Sequence, residues 1–178
     1  HTDYPVELQE PARAIAEAGR YLHVTLPTGI GKQIVHFLIF YGTAGARQGA
    51  SWQKVQNEEH LDLLFSIAAV YEGLPVFIIG DMNTEPQESA VISAAFDTLG
   101  WFDAAAEFHA ATGQPLEPTC CPPNKNFSRI DLCLSNYVGK SAIKSVSTKK
   151  HPAFSPHYVV TIQIDLVTPY QLVPKWTR

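Results

Sequence analysis

Three short polar segments carry the residues with chemical capacity: Gly80-Asp81-Met82-Asn83-Thr84-Glu85-Pro86, Ser128-Arg129-Ile130-Asp131 and Ser155-Pro156-His157. Each adjoins an apolar, strand-like run, so each sets polar groups at one edge of a sheet, where a phosphate could be gripped and attacked. Asp81 and Asn83 lie two apart and leave a strand on the same face if extended geometry persists. A carboxylate there can orient and deprotonate a water or hold a metal, while an amide can donate to the attacking water or to a phosphoryl oxygen. Gly80, without a Cβ, lets backbone or substrate come close. The same residues also fit a plainer role, because Asp, Asn and Thr ahead of a Pro-started helix satisfy the demands of an N-cap.

Asp131 is an acidic residue within the otherwise apolar run Ile130 to Leu134, and a buried carboxylate requires a partner. His157 can supply one: a carboxylate against an imidazole holds the ring and favours its charged form, which could then face a phosphate. An ordinary ion pair of Asp131 with Arg129 or a lysine is the alternative. Tyr41 ends a strand-like run and meets Gly42, so its hydroxyl could reach the same edge and contact a phosphate oxygen, or simply pack in the core. The remaining histidines, His23, His36, His60, His109 and His151, show no paired metal spacing. Lys144, Lys149, Lys150 and His151 form a small basic cluster that could steer a polyanion or line a solvated strand edge.

The elements that must position these residues follow from periodicity. A helix-like stretch over 11–18 stops at Gly19. Alternation over 21–26 and the apolar run over 33–41, joined by Pro27-Thr28-Gly29-Ile30-Gly31, predict a hairpin. Ser51 caps a helix to about residue 71, with Val55, Leu61, Leu64, Phe65, Ala68 and Ala69 inward and Gln53, Lys54, Asn57 and Glu58 outward. Residues 75–79 are continuously apolar and too short for a helix, so they read as a strand buried on both faces. A second helix is expected over 87–99, burying Ala90, Val91, Ala94, Ala95 and Leu99, then a short helix over 101–108, a loop over 112–127 and strands over 129–134, 142–148 and 158–164. Helices between buried strands with a late run of strands give a layered α/β sandwich.

With 178 residues, 46% of them hydrophobic, the chain has material for one sizeable core, and a net charge of -4 argues against coating nucleic acid by bulk electrostatics. Phosphate binding must then be local or metal-assisted. Three cysteines, two of them adjacent at Cys120-Cys121, suggest no disulfide framework and favour a reducing, intracellular setting. No apolar run approaches the roughly 20 residues of a membrane span. The only methionine is Met82, so a chain beginning at His1 is expected to come from a longer one, such as a polyprotein with further domains.

Taken together, the three segments resemble the endonuclease/exonuclease/phosphatase superfamily, the fold of DNase I, abasic-site endonucleases and the endonuclease domains of non-LTR retrotransposons. Gly-Asp-Met-Asn-Thr-Glu-Pro is similar to its Gly-Asp-Phe-Asn signature, Pro118-Thr119 followed by Ser128-Arg129-Ile130-Asp131 to its Thr…Arg-Ile-Asp segment, and Ser155-Pro156-His157 stands in place of its Ser-Asp-His. The resemblance implies an α/β fold, a DNase I-like layered sandwich of mixed sheets flanked by helices over 20–165 that lacks the first strands. Residues 1–19 form an ambiguous amino-terminal segment and 166–178 a tail or linker.

The activity it implies is metal-dependent phosphodiester cleavage of nucleic acid, with Asp81 and Asn83 handling the water and Asp131 orienting His157. Tyr41 and Arg129 would contact the substrate phosphate, and Mg²⁺ or Mn²⁺ would serve as cofactor with its ligands unassigned. Three departures weaken that activity: Pro156 replaces an aspartate and offers neither charge nor N–H, no segment convincingly matches the amino-terminal strands with their Asn and metal-binding Glu, and the Asn and Pro that surround the family's tyrosine are missing near Tyr41. The alternatives are a catalytically dead remnant that binds phosphates or a partner, and a phosphatase acting on inositol phosphates or phospholipids. A sandwich without its first strands should expose a sheet edge and an apolar layer.

Overall fold

The computed structural model describes residues 4–28, 34–47, 51–124 and 126–165. Helix α1 (Val6–Glu17) leads into strands β1 (Tyr21–Pro27) and β2 (Ile34–Tyr41), which pair antiparallel as the expected hairpin. Helix α1 starts earlier than the apolar pattern indicated and runs through Pro11. The expected turn at 29–31 and the tail at 166–178 lie outside the described residues.

Helix α2 (Trp52–Ala69) begins where Ser51 accepts from the Lys54 N–H at 3.3 Å, filling an amide the first turn leaves open. It returns the chain to β3 (Val76–Asp81), parallel to β2, which completes a β-helix-β crossover. Val76, Phe77 and Ile78 are fully buried. Val76 and Ile78 pack against the helices with Leu38, Phe40, Leu61, Leu64, Ile92 and Leu134, whereas Phe77 belongs to a second core with Val35, Cys133 and Val146. Burial on both faces is why β3 carries no alternation.

After β3, helix α3 (Ala90–Thr98), strand β4 (Trp101–Asp103), helix α4 (Ala104–Thr112), strand β5 (Asp131–Asn136) and the short helix α5 (Tyr137–Lys140) follow. The first sheet has the order β1-β2-β3-β5-β4. Strands β6 (Ile143–Lys150) and β7 (Tyr158–Ile164) form a second, two-stranded sheet whose Val160 and Ile162 pack on the first. The molecule is thus a mixed α/β sandwich with α1, α2 and α3 on one face of the larger sheet. Leu22 and Leu26 of β1 are 57% and 46% exposed.

Several sequence expectations shift. Trp101 to Asp103 forms an edge strand rather than a helix, because Asp103 itself caps α4 by accepting from Ala105 and Ala106 N–H. Helix α3 turns Ile92 and Ala95 inward and leaves Ala90, Ala94 and Leu99 exposed, after a separate 3₁₀ turn at Pro86–Glu88 that takes up the first residues expected in it. In α2, Val55 and Ala69 are exposed and Asn57 is buried.

Under α1 lies a buried polar chain. The Tyr4 hydroxyl is 2.6 Å from that of Tyr21 and 2.7 Å from His23 Nδ1, while His23 Nε2 is 2.9 Å from His36 Nδ1. Burial, with the neighbouring His36 adding to it, pushes His23 down from 6.5 to about 4, and burial lowers His36 and His60 as well. The unfolded chain therefore takes up protons first, so stability is lost as pH falls from about 6.5 towards 4. Thermal melting should fall in this window, and His23→Gln, which cannot charge, should flatten the slope; an unaltered slope would exclude His23 as its source.

Candidate active site

Strand β3 ends by placing Asp81 beside two neighbours: its register partner on β2 is Tyr41, and on β5 it is Asp131. Alternation along the three strands turns these residues towards β6 and β7, as it does Phe37, Phe77 and Cys133. Gly80 makes this edge possible. Its φ is 140°, and a Cβ there would stand 1.9 Å from the Phe40 carbonyl oxygen, so only glycine allows β2 and β3 to close at this point.

The extended geometry expected through Asn83 does not persist. Asn83 turns into the left-handed region with φ 50°, its N–H donates to Asp81 Oδ1 at 2.8 Å, and its Nδ2 donates to the Gly42 carbonyl at 3.1 Å. Asn83 thus braces Asp81 and the β2 exit together. The N-cap alternative is not realised, since Glu85 starts the 3₁₀ turn and Ser89 caps α3.

Thr119 fixes the second segment. Its hydroxyl oxygen accepts from both Ile130 N–H at 3.0 Å and Asp131 N–H at 2.9 Å. The third segment is tied to the same loop, as Tyr158 N–H donates to the Thr119 carbonyl at 2.7 Å and Cys121 N–H to the Pro156 carbonyl at 2.9 Å. Here Pro156 needs no N–H of its own. These bonds hold His157 against Asp131, with Nδ1 at 3.0 and 3.1 Å from the two carboxylate oxygens.

One oxygen each of Asp81 and Asp131 and one ring nitrogen of His157 lie within 4.8 Å of one another. All three residues are half-buried, and Asp81 and Asp131 line a cavity of about 270 Å³ walled also by Ile39, Ile79, Val160 and Ile162. Burial raises the Asp81 carboxyl above its ordinary range; Asp131 adds to this, while the Asn83 N–H and His157 oppose it. A carboxylate made more basic in this way is a better proton acceptor.

The remaining expected residues differ in fate. The Tyr41 ring is 50% exposed at the same edge, with the Arg20 guanidinium 5.6 Å from its centroid. Arg129, expected at a phosphate, is instead turned to Asp103, in an ion pair whose side chains are 14% and 4% exposed. The same pair answers the alternative for Asp131, whose partner is His157 and not Arg129.

Sequence reasoning missed two contributors. Asn57 accepts from Thr43 N–H at 2.7 Å and donates to the Met82 carbonyl at 2.9 Å, stapling the exits of β2 and β3. Its position one turn before Leu61, on the apolar stripe of α2, was the available signal. The other is Cys120, whose Sγ lies 3.8 Å from His157 Nε2.

No family model matches this sequence, and no curated protein matches it. Solved structures do. A 3′ phosphatase, NExo from Neisseria, solved bound to product DNA hairpin, superimposes with a TM-score of 0.59 at 17% identity, covering 88% of this chain and 84% of that one. An AP endonuclease from Archaeoglobus fulgidus gives 0.59 at 13%, covering 88% and 83%. The chain has the DNase I-like fold.

A third DNase I-like structure, the endonuclease domain of the telomere-specific non-LTR retrotransposon TRAS1, gives 0.58 at 13% identity over 83% of this chain and 64% of that domain. At such identities it is the DNase I-like architecture that is shared. No helix among the described residues is long and apolar enough to cross a membrane.

Proposed function

We propose that this DNase I-like chain is a metal-dependent phosphodiesterase of endonuclease type acting on nucleic acid. The observation that carries the reading is the convergence of Asp81 and Asp131, from adjacent strands, with His157, just ahead of β7, so that their donor atoms lie within 4.8 Å of one another and a carboxylate holds the imidazole. The donor set fits a divalent cation: the Asp81 and Asp131 oxygens are the hard ligands that Mg²⁺ or Mn²⁺ prefers. When bound, such an ion supplies Lewis-acid stabilisation of charge on phosphorus, worth several kcal/mol.

The chain's own groups supply the rest. Asp81, basic through burial and steadied by the Asn83 N–H, orients the attacking water and accepts its proton. His157, its Nδ1–H donated to Asp131, presents Nε2 to the phosphoryl oxygen where negative charge develops. Tyr41 is placed to contact a second phosphate oxygen. Nucleic acid as substrate draws support from the folds it shares with NExo, solved with product DNA, and with the AP endonuclease.

Nicking of supercoiled and abasic-site plasmid should require Mg²⁺ or Mn²⁺, stop with EDTA and disappear in Asp81→Ala. No nicking by folded protein would overturn the reading. Hydrolysis of inositol phosphates or phospholipid head groups in its place would identify a phosphatase, and phosphate binding without hydrolysis a remnant of the fold.

A further inference from the structure

Arg20 extends the row of site residues by one strand. It stands immediately ahead of β1, and its carbonyl accepts from the Tyr41 N–H at 2.9 Å, so the ladder continues one residue past the Tyr21–Phe40 pair. Arg20, Tyr41, Asp81 and Asp131 are thus successive neighbours from the entrance of β1 across β2, β3 and β5. Residues aligned across a sheet share a face, and the Arg20 guanidinium accordingly lies 5.6 Å from the centroid of the Tyr41 ring.

The guanidinium is anchored along one side only. Its Nη1 donates to the Tyr41 carbonyl at 3.3 Å and to the Gly42 carbonyl at 2.9 Å. The Gly42 carbonyl also accepts from Asn83 Nδ2, so a single oxygen ties the arginine to the residue that braces Asp81. A guanidinium carries five N–H donors in a planar fork, and the edge formed by Nε and Nη2 has no acceptor among the described residues. Nor is its charge paired. The other described arginines all have carboxylate partners, Arg13 in Glu10, Arg47 in Glu85 and Glu88, and Arg129 in Asp103, whereas Arg20 has none among the described residues. Its charge reaches His60, which burial first and then the Arg20 guanidinium lower. In a chain of net charge -4, this is a local positive point where bulk electrostatics offers none.

We propose that Arg20, steadied on the Tyr41 ring and the two carbonyls, binds a second, non-scissile phosphate of a polynucleotide whose neighbouring phosphate is attacked at Asp81. The free edge presents two parallel N–H groups, the arrangement that takes a phosphate in two hydrogen bonds at once. Strands lie about 4.8 Å apart, which sets the Arg20 backbone roughly 10 Å from that of Asp81, with Tyr41 between them. A substrate engaging both ends of this row must carry more than one phosphate, so Arg20 favours a polynucleotide over a single phosphoester. Naming the anion rests on the phosphodiesterase reading; the free fork does not.

Binding of a fluorescein-labelled duplex oligonucleotide, followed by anisotropy in the Asp81→Ala background where cleavage is absent, reads this contact without turnover. Arg20→Gln, whose amide can still donate to a carbonyl, should weaken binding at least about tenfold at low salt. It should also reduce the slope of log K against log salt by about 0.9, the share of one phosphate on duplex DNA. Arg20→Lys should keep the slope and recover only part of the affinity, because an ammonium lacks the fork. Arg13→Gln, on an exposed residue paired with Glu10, should change neither. With Asp81 restored, Arg20→Gln should raise KM for nicking and nearly keep kcat. An arginine that only clamps the exit of β2 would instead lower the melting temperature and kcat and leave the salt slope as it was. That result, or no oligonucleotide binding by Asp81→Ala alone, would overturn the proposal. Nicking with an unchanged slope removes the Arg20 contact and keeps the phosphodiesterase reading, whereas a slope lost at Arg20 without nicking keeps the contact and removes that reading.

Discussion

Replacing His157 with alanine is expected to slow metal-dependent nicking by about 10²- to 10³-fold while changing substrate affinity far less, because the lost donor acts on charge that exists only in the transition state. The fold should survive. The His157 side chain is about one-third exposed, and the segment entering β7 keeps its backbone bonds to Thr119 and Cys121 whatever side chain stands at 157. Asp131→Asn should cost less than His157→Ala, since the ring remains but loses the charge beside it. The double variant should match His157→Ala alone, because Asp131 acts through the imidazole. Independent, multiplicative losses would show that Asp131 has a separate role, and an unaltered rate in His157→Ala would remove the histidine from the chemistry.

The largest stability effect is expected at Gly80. An alanine methyl would need to occupy space 1.9 Å from the Phe40 carbonyl oxygen and 3.0 Å from its carbon, both of them backbone atoms that no rotamer change can move. The φ of 140° adds strain that L side chains rarely accept. Because Phe40 and Gly80 are register partners, relief requires separating β2 from β3 at the centre of the larger sheet. A loss of about 4 kcal/mol or more is expected, which in a chain of this size lowers the melting temperature by roughly 10 °C. Differential scanning calorimetry of Gly80→Ala measures this, and Gly73→Ala offers a comparison, since its Cβ would meet nothing within 4 Å while its φ of 87° is also positive. Similar losses at the two positions would mean that backbone strain, not the contact with Phe40, sets the cost.

The architecture was legible where burial alone decides structure. Continuous apolarity marked β3, alternation marked β1, and Ser51 marked the start of α2, because each depends on neighbours within a few residues. Failures came where a distant partner chose the outcome. Trp101 to Asp103 is helix-like locally, but pairing with β5 makes it a strand, and Asp103 is then held by α4 amides and by Arg129, far along the chain. That same pairing took Arg129 away from the phosphate role suggested by its place in the Ser-Arg-Ile-Asp segment. Asn57 has the polarity of a solvent-facing residue, yet its position on the apolar stripe of α2 buries it.

The site shows the same division. Residue types and order brought Asp81, Asp131 and His157 into view, yet spacing gave no account of how Asn83 would bend to brace Asp81. Nor could it show that one Thr119 hydroxyl would hold two successive amides, or that Cys120 would meet the imidazole. Those are products of loop geometry between the sheets.

The placement of His157 at the head of β7 also orders events during synthesis. Asp81 and Asp131 stand on adjacent strands of the larger sheet and can be set by its closure, but the imidazole lies just ahead of β7 of the smaller sheet and emerges from the ribosome later. A nascent chain ending between β5 and Pro156 would carry both carboxylates and no histidine to complete the cluster. Completion of the cluster is therefore coupled to docking of the second sheet.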